Sequence, residues 1–200
     1  VAINALDKAE GIIDNNNFTL PNQSIFVNDQ LTIDNVYING VNKPIPVSEL
    51  EDFKLTTTNI SENIIPATTS LNNIIVKDKP GLLLVTATAK GFNPTTFKLE
   101  VKKLGTLTPK ANGLTKQDNG EYSLNVLLNE APLSIELDKD VKLTTTDKIT
   151  YDNKILNVTP SIDSNWISIL RIASGDTKVT INIHGYEPLI INVLDNSKTA

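Results

Sequence analysis

An internal repeat constrains this chain more than any other feature, because two copies of one pattern in 200 residues should each form a unit of the same fold. Lys54-Leu55-Thr56-Thr57-Thr58 recurs as Lys142-Leu143-Thr144-Thr145-Thr146, 88 positions later, and Pro44 matches Pro132 at the same spacing. Near the end of each half, Gly91-Phe92-Asn93-Pro94 corresponds to Gly185-Tyr186-Glu187-Pro188, 94 positions apart. The three landmarks keep their order, and one loop insertion of six residues accounts for the drift. The expected organisation is a short helix or linker over residues 1–17, a first repeat over 18–103 and a second over 104–200.

The residues between those landmarks read as strands. Threonine and the aliphatics dominate while aromatics are only 5% of the chain, a composition suited to half-buried pleated surfaces. In 96–102, Phe97, Leu99 and Val101 alternate with Lys98, Glu100 and Lys102, so the strand has one apolar and one polar face. Strands are expected in the first half over 24–27, 30–39, 53–57, 72–77, 82–89 and 96–102. In the second they are expected over 122–128, 133–137, 141–145, 154–158, 166–172, 178–184 and 189–194. Asp118-Asn119-Gly120 predicts a hairpin of type I′, since asparagine and glycine tolerate positive φ. Only Val1–Asn17 departs from the β pattern, spacing Ile3, Leu6, Ala9, Ile12 and Ile13 as an amphipathic helical turn does. The predicted class is all-β, two tandem sandwiches with that helix in front.

Each repeat ends on a strand, a glycine-aromatic-x-proline turn and a second strand: 83–101 in the first half, 179–193 in the second. Glycine permits the reversal, the aromatic covers the end of the sandwich, and proline keeps the loop out of the sheet. This closing hairpin resembles that of bacterial immunoglobulin-like surface repeats, including the haemoglobin-interacting domain family of Gram-positive cell-surface proteins. The resemblance implies an immunoglobulin-like, extracellular binding or spacer module. It assigns no ligand-contacting residue.

Composition narrows the functional classes. Lys+Arg total 18, spread along a chain of net charge −5 with Arg171 as its sole arginine, which argues against nucleic acid as a partner. The longest apolar runs fall well short of the roughly 20 residues that span a bilayer, so no membrane insertion is expected. Without cysteine there is neither a disulfide framework nor a thiolate metal site, and the core must hold each unit alone. The start at Val1 suits a mature or excised fragment of a longer, exported chain.

Candidate chemistry is sparse. His184 is the single histidine and has no Gly-x-Ser-x-Gly partner motif, so it reads as a strand-end residue rather than a catalytic base. Tyr37, Tyr122, Tyr151 and Tyr186 are widely spaced and read as core or rim residues rather than haem ligands, and no cofactor is expected. Asp138 and Asp140 are the foremost calcium candidates, followed by Asp147 with Asp152 and Asp29 with Asp34, although aspartates also fill ordinary β-turns. Glu49 with Glu51, and Glu62 with Asp78, are carboxylate pairs without further support for glycosidase chemistry. Trp166 and Tyr151 have the rings to stack on a sugar, but Trp166 opens an apolar strand and is expected in the core. An exposed sheet edge could pair with a partner's strand, or lysines such as Lys98, Lys102, Lys154 and Lys178 could protect it, and the sequence does not say which strands are edges.

No constellation supports catalysis. The leading expectation is a non-catalytic binding or adhesion module of a secreted or cell-surface bacterial protein, engaging a host protein, a glycan or neighbouring surface-protein subunits. A structural spacer, S-layer or virion component is the alternative, and an accessory domain of a secreted hydrolase the third.

Overall fold

The structure, a computed structural model, describes residues 17–38, 43–60 and 67–196. Residues 1–16, where the helix was expected, lie outside the described residues. The chain forms two compact units, Val1–Lys103 and Leu104–Ala200. Apart from a 3-10 turn at Val47–Glu49, the regular elements among the described residues are strands.

In the first unit these are β1 (Phe18–Thr19), β2 (Gln23–Phe26), β3 (Gln30–Thr32), β4 (Asn35–Ile38), β5 (Pro44–Pro46), β6 (Lys54–Asn59), β7 (Ala67–Ser70), β8 (Asn73–Val76), β9 (Gly81–Thr88) and β10 (Thr95–Lys102). One sheet has the order β2-β10-β9-β6 and the other β3-β8-β7, with a small β1-β4-β5 sheet beside them. Alternation decides the faces: Leu83, Val85, Ala87, Phe97, Leu99 and Val101 are buried, while Lys98, Glu100 and Lys102 between them are exposed. Ile74 and Val76 are the buried residues of β8 in the second sheet.

The second unit contains β11 (Thr115–Lys116), β12 (Tyr122–Asn125), β13 (Leu133–Glu136), β14 (Lys148–Thr150), β15 (Leu156–Pro160), β16 (Trp166–Arg171), β17 (Thr177–Asn182) and β18 (Leu189–Leu194). Its sheets run β11-β12-β18-β17-β14 and β13-β16-β15. Leu124, Val179, Ile181, Ile191 and Val193 from the first sheet share one core with Ile135, Leu156, Val158, Ile167 and Ile169 from the second. In both units an early strand runs parallel to the last one, as β2 with β10 and β12 with β18, and the other pairings are antiparallel. That order of pairing is an immunoglobulin-like β-sandwich in each unit.

Strand register shows which sequence landmarks correspond. Lys54, Leu55 and Thr56 pair with Thr88, Ala87 and Thr86, and in the second unit Lys148, Ile149 and Thr150 pair with Asn182, Ile181 and Thr180. The counterpart of Lys54-Leu55-Thr56 is therefore Lys148-Ile149-Thr150, at the spacing of the closing hairpins, and not the identical run at Lys142. Val141 and Leu143 are buried but form no strand, contrary to expectation. Leu143 donates to the Ser164 carbonyl at 2.8 Å and accepts from Asp163 N–H at 2.8 Å, and the Asp147 carboxylate caps Thr144 N–H at 2.8 Å. Those bonds fold the run into a turn ahead of β14. Pro44 lies in β5, after β3, whereas Pro132 precedes β13, so those prolines do not correspond either.

The closing hairpins do correspond. Gly91 and Gly185 have φ of +84° and +91°, in the left-handed region that an L side chain resists. Phe92 N–H donates to Ala89 and Tyr186 N–H to Ile183, at 3.1 and 3.0 Å. Phe92 stacks on buried Phe18 with ring centroids 5.5 Å apart. Tyr186 lies against Gly105, where a Cβ would sit only 3.2 Å from the ring, and Gly105 exchanges backbone hydrogen bonds with Gly185 and Glu187 at 2.9 and 2.8 Å. The Asp118-Asn119-Gly120 hairpin also forms, but only Gly120 has positive φ, +88°, so the loop is a three-residue turn ending in a left-handed glycine rather than type I′.

Candidate functional site

The period-two pattern of β16 sends Ile167, Ile169 and Arg171 inward and Trp166, Ser168 and Leu170 outward. Trp166 is 43% exposed, which corrects the expectation of a core residue. It faces solvent because it shares a side with Ser168, and the strand's two buried isoleucines occupy the opposite parity. Register places Glu136 opposite Trp166, and Ser134 and Thr159 on either side of Ser168. The outer surface of β13-β16-β15 thus carries one indole among hydroxyls and a carboxylate. Ile162, in the turn that joins β15 to β16, is also exposed. Tyr151 packs instead against the core beside β14, in the other sheet, so the structure does not pair it with Trp166.

Other sequence candidates find structural work. The Asp138 carboxylate accepts hydrogen bonds from the Thr108 hydroxyl and, at 3.3 Å, from Thr108 N–H, while its backbone carbonyl receives Val141 N–H at 3.0 Å. Asp140 is exposed. Both carboxylates act on Tyr186: burial raises the phenol's pKa above its ordinary value, and the charges of Asp140 and then Asp138 add to the rise. Asp147, Asp152 and Asp29 each cap a nearby N–H, of Thr144, Lys154 and Phe26, at 2.8, 2.9 and 3.0 Å. Among the described residues no three of histidine, cysteine, aspartate and glutamate are gathered to hold a metal ion. Glu51 forms an ion pair with Lys90 at 3.5 Å rather than facing Glu49 across a cleft, and Glu62 lies outside the described residues. His184 is exposed just past the end of β17. Tyr122 and Tyr186 pack against the second unit's core, and Tyr37 is 39% exposed.

Two residues escaped the sequence reading. Arg171 is 2% exposed and donates to the backbone carbonyls of Val126, Ala173 and Gly175, the latter two at 2.9 and 2.6 Å. Its parity with Ile167 and Ile169 was the available signal. Leu71 is 77% exposed at the tip of the β7–β8 hairpin with φ +53°, whereas the other non-glycine residues of positive φ among the described residues are asparagine or aspartate. It borders a cavity of about 450 Å³ that Val47, Leu50 and Phe53 also line. Nothing in the sequence marks that leucine, since a hairpin tip normally attracts glycine or asparagine.

No helix among the described residues is long and apolar enough to cross a membrane. No protein-family model and no curated protein matches the sequence. Solved structures do match in outline. The I9–I11 tandem of titin is 10% identical with a TM-score of 0.35, over 89% of this chain and 65% of that one. Domains 4 and 5 of the S-layer protein SbsC are 15% identical at 0.28, over 86% and 92%. The fibronectin(III)-like modules of Clostridium thermocellum CbhA are 11% identical at 0.31, over 88% and 90%. Superpositions this loose transfer neither a residue role nor a ligand.

Proposed function

We propose that the chain is a non-catalytic binding module of a bacterial secreted or cell-surface protein, built from two copies of one ancestral repeat, 18–103 and 104–200, and that its ligand seats on Trp166. The observation that carries this reading is the exposed indole at the head of β16, on the outer face of its sheet beside Glu136. Covering the exposed part of the ring with a ligand would return on the order of 1 kcal/mol. A glycan matches the surroundings best, because a sugar ring offers C–H groups to the indole and hydroxyls to Glu136, Ser134, Ser168 and Thr159. The hairpin resemblance adds host proteins, haemoglobin among them, to the ligands worth screening.

Trp166→Ala is expected to weaken binding at least tenfold on a glycan and host-protein screen, while thermal stability changes little because the side chain lies outside the core. A screen with no binder at micromolar concentration would sink the proposal, as would a binder indifferent to Trp166→Ala.

Leu71 supports a second reading, a structural component that packs against copies of itself. A leucine held in the left-handed region costs about 1–2 kcal/mol, a strain that contact with a neighbour would offset. Leu71→Asn should therefore raise stability by roughly 1 kcal/mol and shift sedimentation at high concentration toward monomer. Sedimentation identical in both proteins rules this reading out.

A further inference from the structure

In the first unit, an open groove of about 860 Å³ lies on the outer face of β2-β10-β9-β6. Asn22, Gln23 and Ser24 form one wall, half-buried Leu82 contributes to the floor, and Lys98, Lys102 and Lys103 border it with Glu100 as the one carboxylate. Phe26 holds the Lys102 ammonium 4.6 Å from its ring centroid, which fixes that charge over the sheet. Lys98 N–H is anchored by the Asn22 side chain at 2.8 Å.

The second unit supplies the contrast. The cross-strand pair Leu84–Lys98 has as its counterpart Lys178–Asn192. There the polar groups satisfy one another, since Lys178 pairs with Glu121 at 3.6 Å and Asn192 donates to the same carboxylate at 3.0 Å. In the first unit Lys98, Lys102 and Lys103 form no ion pair among the described residues. One sheet face is therefore internally neutralised and its counterpart presents three cations against one carboxylate.

We propose that this groove binds an anionic, uronate-bearing polysaccharide. Lys98 and Lys102 are four residues apart on one strand, about 13 Å, too far for a single compact anion to reach both and suited to a chain carrying charge at intervals. The amides and hydroxyl of the wall and the apolar floor serve sugar hydroxyls and ring faces, while the lysines answer the carboxylates. This site goes beyond the Trp166 reading and stands on different residues in the other unit.

The test titrates the whole chain with polygalacturonate, with neutral dextran and with a double-stranded DNA oligonucleotide. Polygalacturonate should bind, more weakly as salt rises. The exposed double substitution Lys98→Gln, Lys102→Gln should lower that affinity at least tenfold at unchanged melting temperature. Lys178→Gln, at the counterpart position of the second unit, should leave it intact. The proposal is overturned by absence of polygalacturonate binding at low salt, by equal binding of dextran, by an unaffected double variant, or by DNA binding as tightly with the same lysine dependence.

Discussion

Arg171→Met should destabilise the second unit by about 3–5 kcal/mol, because three backbone carbonyls, that of Val126 buried and those of Ala173 and Gly175 half-buried, lose a charged donor at once. The guanidinium reaches from the end of β16 to Val126, just past β12, and to Ala173 and Gly175 in the loop before β17. It therefore joins the two sheets and the loop between them through backbone that no strand ladder satisfies. Gly175 N–H in turn is held by the Asp195 carboxylate at 3.1 Å, so the loop is fixed from both sides. Methionine fills similar volume without donors, which isolates the hydrogen bonds from the cavity effect. Urea unfolding followed by the fluorescence of Trp166, the chain's single tryptophan, reads the second unit directly. A midpoint within experimental error of the parent would mean that water reaches those carbonyls and that the arginine is dispensable.

Phe18→Ala should cost the first unit about 3–5 kcal/mol, the range for removing a large buried aromatic. Phe18 is 2% exposed, stacks on Phe92 at 5.5 Å and meets Phe53 at 6.4 Å. The three rings close the end of the sandwich where the β9–β10 hairpin turns. Phe18→Leu should recover part of the loss by refilling volume without the ring contacts. Circular dichroism melting of both variants checks the order, and equal melting of the alanine and parent proteins would show that the ring cluster contributes little.

Local alternation was the most legible part of the fold. The parity of Phe97, Leu99 and Val101 against Lys98, Glu100 and Lys102 is realised without exception. Segments whose pairing depends on distant partners were not legible. Gln30 to Asn39 looks continuous, yet the backbone of Ile33 bonds to Asn72 and that of Asp34 to Val47, which divides β3 from β4. Ala67–Ser70 has no buried alternation and becomes a strand only because β8 pairs with it. The identical Lys-Leu-Thr-Thr-Thr runs misled because identity carries no register, whereas the hairpin glycines are held to one place by their positive φ.

The candidate sites show the same division. Trp166 was identified as the ring suited to a sugar, but an aromatic at the head of an apolar run looks like core until parity is counted from Ile167. Lys98 and Lys102 were weighed as edge guards, and they lie on β10, which β9 and β2 flank. What distinguished them was comparison with Lys178 and Asn192, which requires knowing the register of both units.

The parallel pairings of β2 with β10 and β12 with β18 join a strand near the start of each unit to its last strand over four residues. Tension applied to the two ends of such a unit pulls those strands in opposite directions along their length. The hydrogen bonds of the patch then share the load in shear instead of parting one by one, as they would in a hairpin peeled from its open end. Each unit thus resists stretching along its length through this patch of parallel pairing.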